Sequence, residues 1–248
     1  MSVNTRNVLL LAVSLIWARS AAAQGIYWEV TTSSPGSSHT AQAYAVPKML
    51  KVVGDDGNAM ILRGDREKLI TTDAARRAYS EFTFAELEAS AKATQAKMEQ
   101  QLKHLDPGQR TQIEQVLRDQ GAAGIGKAPA VDVKKTNETK TVNGYRCTKW
   151  VATSGGKTVL VAWTTDHLKG FDKLHDDWMS YQRRFASLSG TLSASAVART
   201  KIDGFPMETE AGSVKTVVTK VEPRAIPASE FEVPAGYTKE STRLPGLK

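Results

Sequence analysis

The chain has 248 residues, with 33 lysines and arginines against 26 aspartates and glutamates, a net charge of +7, 41% apolar residues, a mean hydropathy of -0.34 and one cysteine. These figures exclude a disulfide-stapled miniprotein, a disordered tail and a multi-span membrane protein. The length suits one large domain or two small ones, and either can bury a core.

The chain opens on a leader pattern. Arg6 supplies a weak positive start, Val8 to Trp17 is apolar, and Ala21-Ala22-Ala23 has the small-x-small form that signal peptidase accepts. The apolar run is too short to cross a hydrocarbon layer of roughly 30 Å as a helix. A signal peptide over residues 1–23, cut after Ala23, is therefore expected. Its loss takes away Arg6 and Arg19 and no acidic residue, lowering the net charge from +7 to +5. No cysteine follows the apolar run and no later run approaches the ~20 residues of a spanning helix. The mature chain is expected to be periplasmic or secreted and to lack a transmembrane anchor. Export argues against a nucleic-acid partner, and the basic pairs Arg76-Arg77, Lys134-Lys135 and Arg183-Arg184 lie in no aromatic-rich nucleic-acid motif.

The next stretch reads as a meander of strands. Ile26, Trp28 and Val30 alternate with Tyr27, Glu29 and Thr31 at the period of a half-buried strand. A loop is expected at Ser33–Ser38 and a second strand at Lys48–Val53. The turn cluster Gly54-Asp55-Asp56-Gly57 leads to strands at Asn58–Arg63, Glu67–Thr72 and Arg76–Ser80. The period then changes. Thr83-Phe84-Ala85-Glu86 is a capping box, and Phe84, Leu87, Ala91, Met98, Leu102 and Leu105 recur at helical spacing. Asp106-Pro107 starts a second helix, so a helical insertion occupies about residues 83–120. After a Gly-rich connector, Gly121–Ala130, strands return at Val131–Val142, Tyr145–Thr153 and Thr158–Thr164. They are joined at Asn143-Gly144 and at Ser154-Gly155-Gly156. A third helix spans about Asp172–Leu188, with Phe171, Leu174, Trp178, Tyr181, Phe185 and Leu188 as its apolar stripe. Strands at Met207–Glu210 and Val214–Val221 lead to a Pro-punctuated tail. The fold class expected is α+β, a curved antiparallel sheet (an incomplete barrel) with helices packed on its concave face. One domain over residues 24–248 leaves fewer open edges than two.

No motif specific to catalysis appears. Gly121 to Lys127 fits the start of a phosphate-binding loop, but Ala128 stands where Ser or Thr must hold Mg²⁺ and a helix precedes it. His39, His104, His167 and His175 include no i,i+4 pair, and Asp176-Asp177 suit the first turn of a helix better than a metal. Ser187-Leu188-Ser189-Gly190 lacks the context of a nucleophile elbow. No metal or cofactor is expected. Cys147 lies in a strand and reads as a buried thiol, although Arg146 and Lys149 would favour a thiolate were it exposed. Trp28 and Trp163 on strands, with Trp178, Tyr181 and Phe185 on one helix face, read either as plain core packing or as walls of a cavity for a lipid-like ligand.

Asn143-Gly144-Tyr145-Arg146-Cys147-Thr148-Lys149-Trp150, then Gly204-Phe205-Pro206-Met207, then Phe231-Glu232-Val233-Pro234-Ala235-Gly236-Tyr237, resembles the exported bacterial family catalogued as domain of unknown function 4412. The ordered motifs cover about Thr141 to Tyr237. The resemblance implies a likeness to Lol-type lipoprotein carriers and to periplasmic sensors that share their half-barrel. It supplies no catalytic residues, and a shared fold does not dictate function. The expected activity is non-enzymatic binding of an acyl chain, lipid or lipoprotein. A sensor or adaptor for an envelope protein is the alternative, and a hydrolase using Asp166 or His167 is a third reading.

Overall fold

The computed structural model describes residues 22–119, 129–188 and 193–240. Residues 1–21 of the expected leader, the phosphate-loop-like Gly121–Lys127 and Ser189-Gly190 lie outside the described residues. Strand β1 (Ala22–Ser34) turns at Pro35-Gly36 into β2 (Ser37–Val46), and β3 (Met49–Gly54), β4 (Ala59–Arg63), β5 (Lys68–Asp73) and β6 (Ala78–Thr83) continue the meander. The loop expected at Ser33–Ser38 is in fact a tight hairpin, with Ser34 opposite Ser37. Strand β2 escaped the sequence reading because its inward residues are small. Ala43 and Ala45 are buried, and their size gives an overlying helix room to come close. Gly25 answers a similar need on the outer face. A Cβ there would sit 2.3 Å from the Ala45 carbonyl oxygen and 2.7 Å from Val46 Cγ1.

Helix α1 (Phe84–Lys103) begins with the expected capping box. Thr83 Oγ1 accepts from the Glu86 N–H, and the Glu86 carboxylate accepts from the Thr83 N–H. Helix α2 (Pro107–Asp119) begins where the Asp106 carboxylate accepts from the Gln109 N–H. The two helices of this insertion differ in how they meet the core. Phe84 and Leu87 reach the core, but every α2 residue with a described side chain is exposed, Ile113 by 39% and Val116 by 54%.

Strands β7 (Asp132–Val142), β8 (Tyr145–Ser154) and β9 (Lys157–Thr165) follow. Asn143 and Gly144 both take positive φ, 47° and 80°, as a two-residue hairpin turn of the expected kind requires. A 3-10 turn at Phe171–Lys173 leads to α3 (His175–Leu188), so the stripe expected as one helix bends near Leu174. Helix α4 (Ala194–Arg199) went unseen in the sequence because its buried side chains, Ala194 and Ala198, are too small to make a stripe. Strands β10 (Phe205–Ala211), β11 (Val214–Pro227) and β12 (Thr238–Lys239) complete a twelve-stranded sheet in the order β12-β6-β5-β4-β3-β2-β1-β11-β10-β9-β8-β7. Only β12–β6 is parallel. The sheet is curved and unclosed. The β7 edge carries Lys134, Lys135 and Lys140 and loses register between Lys135 and Thr139, features that discourage pairing with another chain.

Alternation along the strands separates two faces. Ile26, Trp28, Ala43, Ala45, Leu50 and Leu62 form the inner face beneath α3, and Leu160 and Ala162 extend it beneath α4. On the outer face Ile61, Ile70 and Ile226 are covered by Phe231, which is fully buried in a second 3-10 turn, Ala228–Phe231. Arg63 fastens this turn. Its guanidinium donates to the Phe231 carbonyl and to the carboxylates of Glu232 (2.6 Å) and Asp65 (2.7 and 2.8 Å).

Candidate functional site

Strands β1–β3 and β10 carry Ile26, Trp28, Leu50 and Phe205 to the inner face, and α3 with the bend before it lowers Trp178, Tyr181 and Leu174 onto them. The rings meet edge to face or tilted. Trp28 lies 6.1 Å from Trp178 and 5.5 Å from Phe205, and Phe171 lies 5.3 Å from Phe205. Such contacts let the positive edge of one ring meet the negative face of another. Between them remains an apolar hollow of about 320 Å³, counting the part open to solvent, with closed room for about one water-sized molecule. One acidic residue, Asp177, stands at its rim.

Polar contacts hold α3 over the hollow. The Lys48 N–H, in a turn with φ of 64°, donates to Asp177 Oδ2 at 2.7 Å. His175 Nε2 lies 2.7 Å from Asp203 Oδ1, and Arg184 donates to Glu88 of α1 at 2.8 Å. Burial pushes His175 down, but the carboxylates of Asp176 and Asp203 outweigh it and raise its pKa. The Gly204 N–H and His175 lower that of Asp203. Tyr181 is 9% exposed, and its hydroxyl has no hydrogen-bond partner among the described residues. Burial and the carboxylates of Asp177 and Asp65 push this phenol well above its ordinary value. The hydroxyl occupies space left by Gly64, where a Cβ would lie 2.9 Å from it.

The five aromatic residues singled out in the sequence thus separate. Trp28, Trp178 and Tyr181 line the hollow; Phe185 packs on the same core without lining it. Trp163 packs against the same core without lining the hollow; it alternates with Ala162 on β9, and Lys140 Nζ sits 4.4 Å from its ring centroid and also pairs with Glu208 at 2.8 Å. The register of one strand decides this, and aromatic content alone does not reveal it. Sequence reasoning also left out Ile26, Leu50 and Phe205 as lining residues; Phe205 was visible only as part of the Gly204-Phe205-Pro206 motif.

Cys147 is fully buried, its thiol 3.4 Å from the Tyr145 carbonyl, and burial raises its pKa. Asp166 pairs with Lys135 at 3.8 Å, while the backbone N–H of His167 donates to Thr165 Oγ1, so no hydrogen bond joins these two side chains as a dyad. Among the described residues no three His, Cys, Asp or Glu side chains gather as a metal cage, and no helix is long and apolar enough to cross a membrane.

Fold and site together define a curved, unclosed antiparallel sheet with an aromatic-walled apolar hollow beneath an inner-face helix. The chain belongs to the family "Domain of unknown function (DUF4412)", whose model matches residues 104–237, more than half its length. That segment supplies Trp178, Tyr181 and Phe205, whereas Trp28 and Leu50 lie before it. No curated protein matches the chain in sequence. Among solved structures it is similar to an uncharacterized conserved protein from Thermus thermophilus, at 8% identity and TM-score 0.46 over 88% of this chain and 90% of that one. The Pseudomonas aeruginosa MucA/MucB complex aligns at 10% identity and TM-score 0.41, over 87% of this chain and 58% of that one. PNGF-II aligns at 12% and 0.38, over 88% and 30%. Similarity this distant says nothing of what the chain binds.

Proposed function

We propose that the protein is an exported, non-enzymatic binder whose half-barrel unit, residues 24–248, admits an acyl chain, a lipid or the lipidated end of a lipoprotein beneath α3. The observation that carries this reading is the hollow itself, walled by apolar and aromatic side chains, among them a tyrosine whose hydroxyl has no partner among the described residues. Apolar clefts with a few placed polar groups are the usual form of a small-ligand site. The space beneath α3 is too small for a chain as it stands, so binding requires α3 to move outward. Its tethers at Asp177, His175 and Arg184 are hydrogen bonds and ion pairs at or near the surface, which break at little cost compared with a fully buried helix face. The leader pattern from Val8 to Ala23 supports export.

Native mass spectrometry of protein purified from cell envelopes tests the reading. A reproducible co-purifying lipid or lipoprotein, depleted in Trp178→Ala, is the expected result. Its absence from wild-type protein, together with no binding of added long-chain amphiphiles, overturns the reading. The exposed Ile113 and Val116 on α2 favour a second reading, an adaptor that docks an envelope protein on that helix. A photocrosslinker at position 116 in intact cells would then capture one discrete partner.

A further inference from the structure

Arg199 ends α4, the helix packed over Leu160 and Ala162, and is half-buried. It lines a second cleft of about 290 Å³, counting the part open to solvent, together with Leu160, Ala162, Trp178, Gln182 and Thr209. Trp178 lines both clefts, and Phe205 in the hollow is the chain neighbour of Gly204 and Pro206 in this one. The two spaces therefore adjoin across a single indole.

What sets Arg199 apart is the lack of any hydrogen bond or ion pair to its guanidinium among the described residues. Other shielded cations of the chain face carboxylates: Arg63 faces Asp65 and Glu232, Lys51 faces Glu230, Lys140 faces Glu208 and Lys149 faces Glu138. Arg199 is not a helix cap either. The terminal carbonyls of α4 are already taken, that of Val197 by the N–H and hydroxyl of Thr200, and that of Ala198 by the Lys201 N–H. Among the described residues no carboxylate lines the cleft. The acids next to lining residues in sequence are engaged elsewhere: Asp203 by His175 and the Gly204 N–H, Glu208 by Lys140 and Lys215, and Glu210 by Lys215. Burial without a counter-charge also lowers the pKa of this arginine, in keeping with a cation that lacks its anion. A buried charge is costly unless paired, and a guanidinium offers a planar fork of donors that matches a carboxylate or phosphate. The Gln182 amide and the Thr209 hydroxyl add neutral hydrogen-bonding groups to the same walls.

We propose that the Arg199 cleft is an oxyanion subsite that binds the carboxylate or phosphate headgroup of an amphiphile whose chain passes Trp178 into the hollow. This inference rests on the reading of the hollow as a chain-binding site and names the class of ligand it takes, a single-headed anionic amphiphile.

Titration calorimetry on the mature protein below micellar concentration tests it, with dodecanoate, dodecyl phosphate, dodecanol and inorganic phosphate as probes. Wild-type protein is expected to bind the two anionic amphiphiles at least about tenfold more tightly than dodecanol, the scale of a charge-assisted bidentate contact. Arg199→Gln should abolish that preference while leaving dodecanol binding in place, and Arg199→Lys should retain part of it. The thermal unfolding midpoint of each variant shows that it folds. Equal binding of dodecanoate and dodecanol by wild type overturns the headgroup assignment and leaves the chain-binding reading standing. Binding of inorganic phosphate alone, lost in Arg199→Gln and without dodecanol binding, keeps the oxyanion subsite, assigns it to a free anion and removes the chain from the proposal. No binding of any probe overturns both.

Discussion

At the scale of single residues, Tyr181 is the most informative side chain. A buried hydroxyl without a partner costs about 1–3 kcal/mol relative to one that is paired. Tyr181→Phe removes the oxygen and keeps the ring that packs under α3. The expected outcome, measured by urea unfolding, is a stability unchanged or raised by about 1 kcal/mol. A loss of more than about 1 kcal/mol would mean that the hydroxyl is satisfied in solution. Cys147 presents the opposite case. Its sequence neighbours Arg146 and Lys149 offered a route to a reactive thiolate, but the strand turns the thiol into the core and burial raises its pKa. Adjacent residues of a strand face opposite sides, which turns Arg146 from the sulfur; Lys149, two positions on, shares its face, and burial outweighs the one cation that acts on the thiol, Lys140 opposite it on β7.

At the scale of elements, α3 is the piece on which the proposed binding turns, and one of its tethers titrates. The folded-state pKa of His175 is raised, so protonation favours the folded, tethered state. That contribution is fully present below the ordinary histidine value of 6.5 and is lost as pH rises through the elevated folded value. Asp203 is shifted down and stays ionised throughout this window. Wild-type stability should therefore fall relative to His175→Gln as pH rises through neutrality. The difference should stay below about 1 kcal/mol, because the pair is partly solvated. Chemical denaturation of both proteins across the pH range checks this; parallel profiles would show that the tether does not act through charge. The helical insertion carries a different lesson. Its caps were readable because a capping box is a local hydrogen-bond pattern, whereas the exposure of the described side chains of α2 was not. Periodic apolar residues at Leu87, Ala91 and Leu102 are equally compatible with a buried stripe and with a largely exposed hairpin.

At the scale of the whole molecule, the C-terminal tail is bound across the outer face of the N-terminal strands. The motif around Phe231 and Glu232 acts structurally through Arg63, more than 160 residues earlier in the chain. Arg63→Met should lower stability by about 2 kcal/mol, since the Glu232 and Asp65 carboxylates are partly exposed and recover some hydration. It should also make the segment after Pro227 susceptible to limited proteolysis. An unchanged cleavage pattern would show that Phe231 alone anchors the tail.

The antiparallel meander, the three long helices, both capping signals, the Asn143-Gly144 turn and the family were legible in the amino-acid sequence. Each is written in residues a few positions apart, through alternation, helical spacing or turn chemistry. Strand β2 and helix α4 were not, because alanines carry little period signal and their meaning lies in what packs over them. Nor did the sequence reveal that Trp163 stays out of the hollow that Trp178 lines, that the described side chains of α2 are exposed, or that Arg199 has no counter-charge among the described residues. Those facts depend on which strand lies beside which, on a register that one bulge shifts to the other face, and on the distances between side chains far apart in the chain. Only the assembled sheet sets them.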